Sequence, residues 1–208
     1  MKPDSEIIVF RSKRNKVFLR GNVVEKHFVS AEAASLEAAM LEQLYAKGVR
    51  VPYPVTRENG ILKMPYIPGE TLPDLFARFE SSPDRRGQSV LRKAAEDIVS
   101  WFRDFYRAVD ADNTGEIRGD INGRNFLWDG EHCWGVDFEE RVTGVKEQDI
   151  GRFIAYSLTY NPPGTPIKKM FAEMFLQEIT RTFSINPTAV SAYCSQEFSA
   201  IYARRNQK

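Results

Sequence analysis

Three polar residues bracket a short β-hairpin and dictate where this chain must bring its backbone together. Asp120 and Asn125 stand in Arg118-Gly119-Asp120-Ile121-Asn122-Gly123-Arg124-Asn125, just ahead of the apolar stretches Phe126-Leu127-Trp128 and Cys133-Trp134-Gly135-Val136. Asp129-Gly130 between those stretches is a hairpin turn signal, and Asp137 follows the second. A hairpin returns the chain to its starting point, so Asp137 is expected beside Asn125, with Asp120 on the loop leading in. One Asp or Asn near a glycine is ordinarily a turn-former. Three at this spacing make a polar focus that the rest of the fold has to accommodate.

The chemistry that such a focus suits is phosphoryl transfer. Its transition state spreads negative charge over the oxygens of the transferred group, so positioning and charge neutralisation matter more than covalent help. Asp120 is the carboxylate placed to accept a proton from a substrate hydroxyl, and Asn125 with Asp137 supplies hard oxygen ligands of the kind magnesium takes. This chemistry also requires a strand lysine for the nucleotide phosphates and a helix glutamate to hold it. Val23-Val24-Glu25-Lys26 puts Lys26 on a strand, on the same face as Val24. The helix that follows offers Glu32, Glu37 and Glu42, of which Glu37 is the expected partner.

Strands are expected over 6–11, 16–20 and 22–28 as an antiparallel meander, separated by Ser12-Lys13-Arg14-Asn15 and by Gly21. Ser30 then caps a helix over 31–47 whose Leu36, Met40, Leu41 and Leu44 recur at helical spacing toward a core, with Gly48 closing its last turn. A strand pair is expected around 60–64, and Ile67-Pro68-Gly69-Glu70 is the candidate hinge. Helices should follow over 72–79, 89–111, 148–158, 167–183 and 187–204. The expected fold class is α+β, one domain over 1–208 with a small β lobe to about residue 68 and a mainly α lobe beyond.

With 42% apolar residues the chain can bury an ordinary core. Its 29 basic and 28 acidic side chains leave a formal net charge of +1, which excludes a global field drawing it to nucleic acid or anionic lipid. Cys133 and Cys194 lack metal-type spacing, and two histidines leave little material for zinc. No segment reaches the run of about 18 apolar residues that spans a bilayer, and Asp4 and Glu6 precede Ile7-Ile8-Val9-Phe10 where a secretory leader needs a longer apolar stretch. A cytoplasmic protein with no membrane partner is expected. Trp101, Phe102, Phe105 and Tyr106 read as core, His27 and His132 as bystanders, and Arg204, Arg205 and Lys208 as a solvated tail.

The succession of meander, Lys26, Glu37 helix, Met64-Pro65-Tyr66-Ile67-Pro68-Gly69-Glu70, Gly119-Asp120 to Asn125, and Asp137-Phe138-Glu139 resembles the protein-kinase-like superfamily over about residues 6–158. It is similar to aminoglycoside and choline phosphotransferases and to the small atypical kinase of the KEOPS tRNA-modification complex. The resemblance implies a bilobal kinase-like fold with ATP between the lobes. Adenine would lie against the backbone near Met64 to Tyr66, Lys26 on the phosphates, Asp120 as base, Asn125 and Asp137 on Mg²⁺, and Asp149 bracing the catalytic loop.

Three departures stand out. Ser12-Lys13-Arg14-Asn15-Lys16 replaces a glycine-rich phosphate loop, Arg118 stands where the family usually has histidine, and Glu139 follows Asp137-Phe138 in place of glycine. Only twelve positions separate Asp137 from Asp149, too few for an activation segment that presents a peptide. The expected activity is ATP- and Mg²⁺-dependent phosphorylation of a hydroxyl on a small molecule. The alternatives are a partner-dependent atypical kinase or ATPase of the KEOPS type, which would bring a tRNA or protein partner, and a nucleotide-binding pseudokinase.

Overall fold

The β-branched and aromatic segments of the N-terminal third pair as an antiparallel ladder. In the computed structural model, which describes residues 7–10, 12, 14–81, 85–139 and 142–206, five strands form one sheet. They are β1 (Ile7–Phe10), β2 (Lys16–Arg20), β3 (Val23–His27), β4 (Thr56–Glu58) and β5 (Ile61–Pro65), in the order β1-β2-β3-β5-β4. Arg11, Lys13 and Lys208, which figured in the expectations above, lie outside the described residues. Register pairs Val24 with Met64 and Lys26 with Leu62. Directly opposed residues share a face, so Lys26 projects with the buried Leu62 toward the interior.

Helix α1 (Ala31–Ala46) packs on that face, and its Ser30 cap accepts the Ala33 N–H at 3.1 Å. Met40, Leu41 and Leu44 are buried as expected, but Leu36 is 61% exposed. The inward stripe is instead Ala34, Glu37, Ala38, Leu41 and Leu44. Glu37 takes the inward position because Lys26 waits there with a compensating charge.

The expected hinge is tied into a second sheet. Glu70 and Thr71 form β6, which pairs with β8 (Phe126–Trp128), itself paired with β9 (Cys133–Gly135). The β8–β9 connection is four residues long, not a two-residue turn at Asp129-Gly130. Asp129 N–H donates to the His132 carbonyl at 3.1 Å, and its carboxylate accepts from the N–H groups of Glu131 and His132 at 2.9 and 2.7 Å. A side chain that can mimic a backbone turn has widened the loop.

The remainder is helical: α2 (Leu72–Ser81), α3 (Arg85–Val109), α4 (Ala111–Thr114), α5 (Lys146–Thr159), α6 (Pro166–Thr182) and α7 (Pro187–Asn206), with a small strand pair β7 (Glu116–Ile117) and β10 (Val142–Thr143). The chain is thus α+β, with an antiparallel N-terminal sheet, one helix upon it, and a helical C-terminal part, the two-lobed layout that the resemblance implies. The α3 aromatic stripe is core: Trp101, Phe102, Phe105 and Tyr106 are each at most 3% exposed. Cys133 is a buried free thiol and Cys194 a half-buried one. Among the described residues, no helix is long and apolar enough to cross a membrane.

Candidate active site

Three carboxylates converge on one ammonium. Lys26 Nζ lies 2.7 Å from Glu37 and 2.9 Å from Glu139 and makes a close ion pair with Asp137. Lys26 and Glu37 are both buried, whereas the Asp137 side chain is 42% exposed. Burial opposes the charged lysine, yet Glu37 and Asp137 hold its pKa above the ordinary lysine value. Burial raises the Glu37 carboxyl against the pull of Lys26. At Asp137 burial is outweighed by Lys26 and Arg118, and the carboxyl sits below its usual value. The Phe138 N–H also donates to Glu37 at 3.3 Å, fastening the Asp137 segment to α1.

The loop over 118–125 is held from beneath. Asp149, fully buried on α5, accepts the N–H groups of Arg118 and Gly119 at 2.7 and 3.0 Å and the Tyr106 hydroxyl at 3.1 Å. Gly119 has φ +73°, and a Cβ there would stand 2.4 Å from the Val142 side chain, so the chain can turn toward Asp120 against β10 only without one. Asp120 itself is exposed at the loop tip. The Asn125 amide donates to the Asp120 carbonyl at 3.3 Å through its Nδ2, a bond that does not engage its Oδ1. Tyr160 steadies the intervening turn: its hydroxyl accepts the Gly123 N–H at 2.7 Å and donates to Asn122 Oδ1 at 2.9 Å.

Arg118 proves to be a clamp. Only 3% exposed, it donates to the carbonyls of Val136 and Asp137 at 2.8 and 2.6 Å, and its guanidinium lies 4.2 Å from the centre of the Phe138 ring. Phe138 in turn packs against Trp101 and Phe105 at centroid distances of 6.2 and 6.4 Å, joining the site to the core. The clamp holds Asp137 at φ +69°, a left-handed backbone that non-glycine residues rarely adopt. Such a conformation costs about 1–3 kcal/mol and persists only where the surroundings enforce it.

Above the cluster, Glu139 reaches the tip of the β1–β2 hairpin. It accepts from the Asn15 side-chain amide and lies 3.9 Å from Arg14. Side chains therefore close over Lys26 where a glycine-rich loop would use backbone. On the far side of β3, Met64 is buried and the Tyr66 ring stacks on Phe10 at 6.5 Å. The Tyr66 N–H is taken by the Asn22 carbonyl at 2.9 Å. By the alternation of an antiparallel ladder, the Pro65 carbonyl and Ile67 N–H then point away from β3.

The structure thus brings Lys26, Glu37 and Asp137 into direct contact and joins Asn125 to Asp120 through one hydrogen bond. Glu32 and Glu42, the other carboxylates of α1, are exposed. The donor set fits a divalent cation: Asn125 Oδ1 and Asp137 are hard oxygen ligands, and oxygens of Glu37, Asp137 and Glu139 lie within 4.8 Å of one another around a single ammonium. Sequence reasoning left Arg118 without a role, named Asn15 only within the stretch that replaces a glycine-rich loop, and passed over Tyr160. For Arg118 the signal was an unusual cation immediately before Gly119-Asp120; Tyr160 carries no local signal.

Known structures share this fold. Amicoumacin kinase hAmiN, solved in complex with AMP-PNP, Ca²⁺ and Ami, is 13% identical with a TM-score of 0.61, covering 92% of this chain and 77% of its own. ADP-bound aminoglycoside phosphotransferase APH(2'')-Ib is 12% identical with a TM-score of 0.56, covering 92% and 82%. A choline/ethanolamine kinase family protein from Mesorhizobium loti, 16% identical, has a TM-score of 0.47 and covers 96% and 87%. No curated protein is significantly similar in sequence. The RIO domain model matches residues 8–153, most of the chain including every residue of the cluster. The chain belongs to the RIO domain family, atypical protein-kinase-like in kind, and its function is of the kinase type.

Proposed function

We propose that this protein is an ATP- and Mg²⁺-dependent kinase that transfers the γ-phosphoryl group to a hydroxyl of a small molecule. The observation that carries the reading is the Lys26–Glu37–Asp137 contact facing the Asp120–Asn125 loop. Adenine sits against the backbone from Met64 to Tyr66, with the Pro65 carbonyl and Ile67 N–H as its polar edge. Lys26, held by Glu37, grips the α- and β-phosphates. Asn125 and Asp137 would hold Mg²⁺, which would supply positive charge to neutralise the phosphate oxygens. Asp120 takes the proton of the acceptor hydroxyl as its oxygen bonds to the γ-phosphorus, and the bond to ADP breaks.

A small acceptor is favoured by the short stretch between Asp137 and α5. Val142 and Thr143 already pair with β7, and α5 begins at Lys146, so the described residues between Asp137 and α5 offer no long segment to present a peptide. The RIO domain match supports a second reading, an atypical kinase or ATPase, which on the KEOPS resemblance would work with a protein or tRNA partner. Thermal shift with Mg-ATP tests the nucleotide site, because a ligand of the folded state raises the midpoint. Asp120→Asn should keep that shift and lose turnover, whereas Asp137→Asn should lose the Mg²⁺-dependent part of it. Full turnover by Asp120→Asn would refute the assignment of the base. ATP consumption raised by a metabolite extract supports the small acceptor, and consumption raised only by tRNA or a partner protein supports the second reading.

A further inference from the structure

Arg204 and Arg205, which read as a solvated tail, are folded back onto α5, whose C-terminal cap Tyr160 reaches the Asp120–Asn125 loop. Both lie on α7, where Arg204 reaches the Tyr156 hydroxyl at 3.4 Å and Arg205 donates to the Thr159 carbonyl at 2.6 Å. Arg152, Tyr156 and Tyr160 follow one another at intervals of four along one side of α5 and its C-terminal cap. Tyr160 ends in the catalytic loop through Asn122 and Gly123, with the Arg124 guanidinium 5.7 Å from its ring centre. Both tyrosines feel the Asp120 charge, Tyr156 together with Arg204 and Tyr160 together with Arg124.

The charges on this rim do not balance. Glu197 serves two guanidiniums at once, Arg204 at 2.6 Å and Arg152 at 3.6 Å. Arg124 is exposed, four residues from Asp120, and among the described residues no carboxylate pairs with it. Among the described residues, Arg124, Arg152, Arg204 and Arg205 thus have one carboxylate partner, Glu197, shared by two of them. A polycationic acceptor such as an aminoglycoside would be repelled here, since like charges across an interface select against the wrong partner.

We infer that the acceptor is a small hydroxy compound bearing a phosphate or carboxylate near the reacting hydroxyl, with Arg124 as the first contact of that anion and Arg204 behind it. Arg124 suits the task because a guanidinium presents a planar fork of donors to paired oxygens. Its position on the catalytic loop sets the anion beside the oxygen that Asp120 activates. The inference rests on the reading of this cleft as a hydroxyl-phosphorylating site.

Ligand-observed NMR on the full chain saturated with Mg²⁺ and AMP-PNP tests it, using glucose, glucuronate, glucose 1-phosphate and glucosamine as probes. Loading the nucleotide site first keeps the anions from reporting on Lys26. At least one acidic sugar should bind about tenfold more tightly than glucose, the scale of a charge-assisted contact, with glucosamine weakest. The better of the two identifies the preferred anion. Arg124→Glu should abolish the preference while AMP-PNP still raises the thermal midpoint, and Arg124→Lys should retain part of it. Equal binding of the four probes, tightest binding of glucosamine, or a preference that survives Arg124→Glu overturns the inference. Binding of tRNA with none of the acidic sugars overturns it in favour of a nucleic-acid partner. Failure of AMP-PNP to bind brings down the kinase reading as well, whereas AMP-PNP binding without an anion preference overturns this inference alone.

Discussion

Replacing Arg118 by Ala should damage stability and metal-dependent nucleotide binding together. The guanidinium makes hydrogen bonds of 2.8 and 2.6 Å to the carbonyls of Val136 and Asp137. Bonds to a charged donor contribute about 1.5–3 kcal/mol each. Burial of Arg118 works in the opposite direction, lowering its pKa against the attraction of Asp120, Asp137 and Asp149. The net loss should be about 3–5 kcal/mol, as for other buried charges removed from their partners. For a domain of this size that corresponds to a fall in Tm of roughly 10 °C. Binding is affected separately, through Asp137 at φ +69°. If the clamp is what enforces that conformation, Asp137 relaxes without it, and about 1–3 kcal/mol of strain must be restored whenever Mg²⁺-nucleotide binds. Affinity should then fall roughly 10- to 100-fold. Chemical denaturation gives the first quantity and calorimetric titration of Mg-AMP-PNP the second. Arg118→His, the residue usual in kinases at this position, should recover part of both because one ring N–H still reaches a carbonyl. An Arg118→Ala protein within 1 kcal/mol of wild type that binds Mg-AMP-PNP unchanged would refute the clamp; the threshold is about the median effect of an ordinary substitution.

Two further perturbations address the frame around the cluster. Burial raises the Glu37 carboxyl above its usual 4.5, so its contribution to stability is fully present below that pH and is lost as pH rises through the folded value. Asp137, shifted down, acts below 3.8 and outside this window. Glu37→Gln should therefore flatten the decline of stability above pH 4.5, seen in urea midpoints across a pH series; an equally steep decline in the variant counts against the assignment. Gly151→Ala would put a Cβ 2.6 Å from the Val190 carbonyl and 2.8 Å from the Cys194 nitrogen, both backbone of α7. Overpacking against groups that cannot swing aside should cost about 1–3 kcal/mol. A denaturation midpoint equal to wild type would show that α5 and α7 do not meet as closely as described.

Residue type and spacing carried much of the architecture. Alternation marked the meander, 3.6-residue periodicity marked the helices, and the Asp120, Asn125 and Asp137 pattern marked the turn of chain around which the site is built. The misplacements were tertiary in origin. Leu36 has the spacing of a core residue but faces solvent because Lys26, contributed by another element, draws Glu37 inward. Glu70 and Thr71 look like the end of a turn, and only the presence of β8 makes them a strand. Asp129-Gly130 has the letters of a tight hairpin, but the Asp129 carboxylate binds two backbone N–H groups and opens a wider loop.

Within the site the division runs along the same line. The sequence by itself determined the chemical inventory: a base candidate, two hard oxygen ligands, a strand lysine and a helix carboxylate, in the order that phosphoryl transfer needs. Those are local properties, set by side-chain type and by the short-range geometry of strand, helix and hairpin. The tertiary structure decided which groups touch. Lys26 meets Asp137 across 111 positions of sequence and Asn15 meets Glu139 across 124. It turned Arg118 from an anomaly into the clamp on Asp137, and brought Arg204 and Arg205 from a supposed tail onto Tyr156 and Thr159 of α5. Charge acts through space and burial is a property of the packed chain, so neither the balance around Lys26 nor the excess of arginine at the rim can be read from spacing alone.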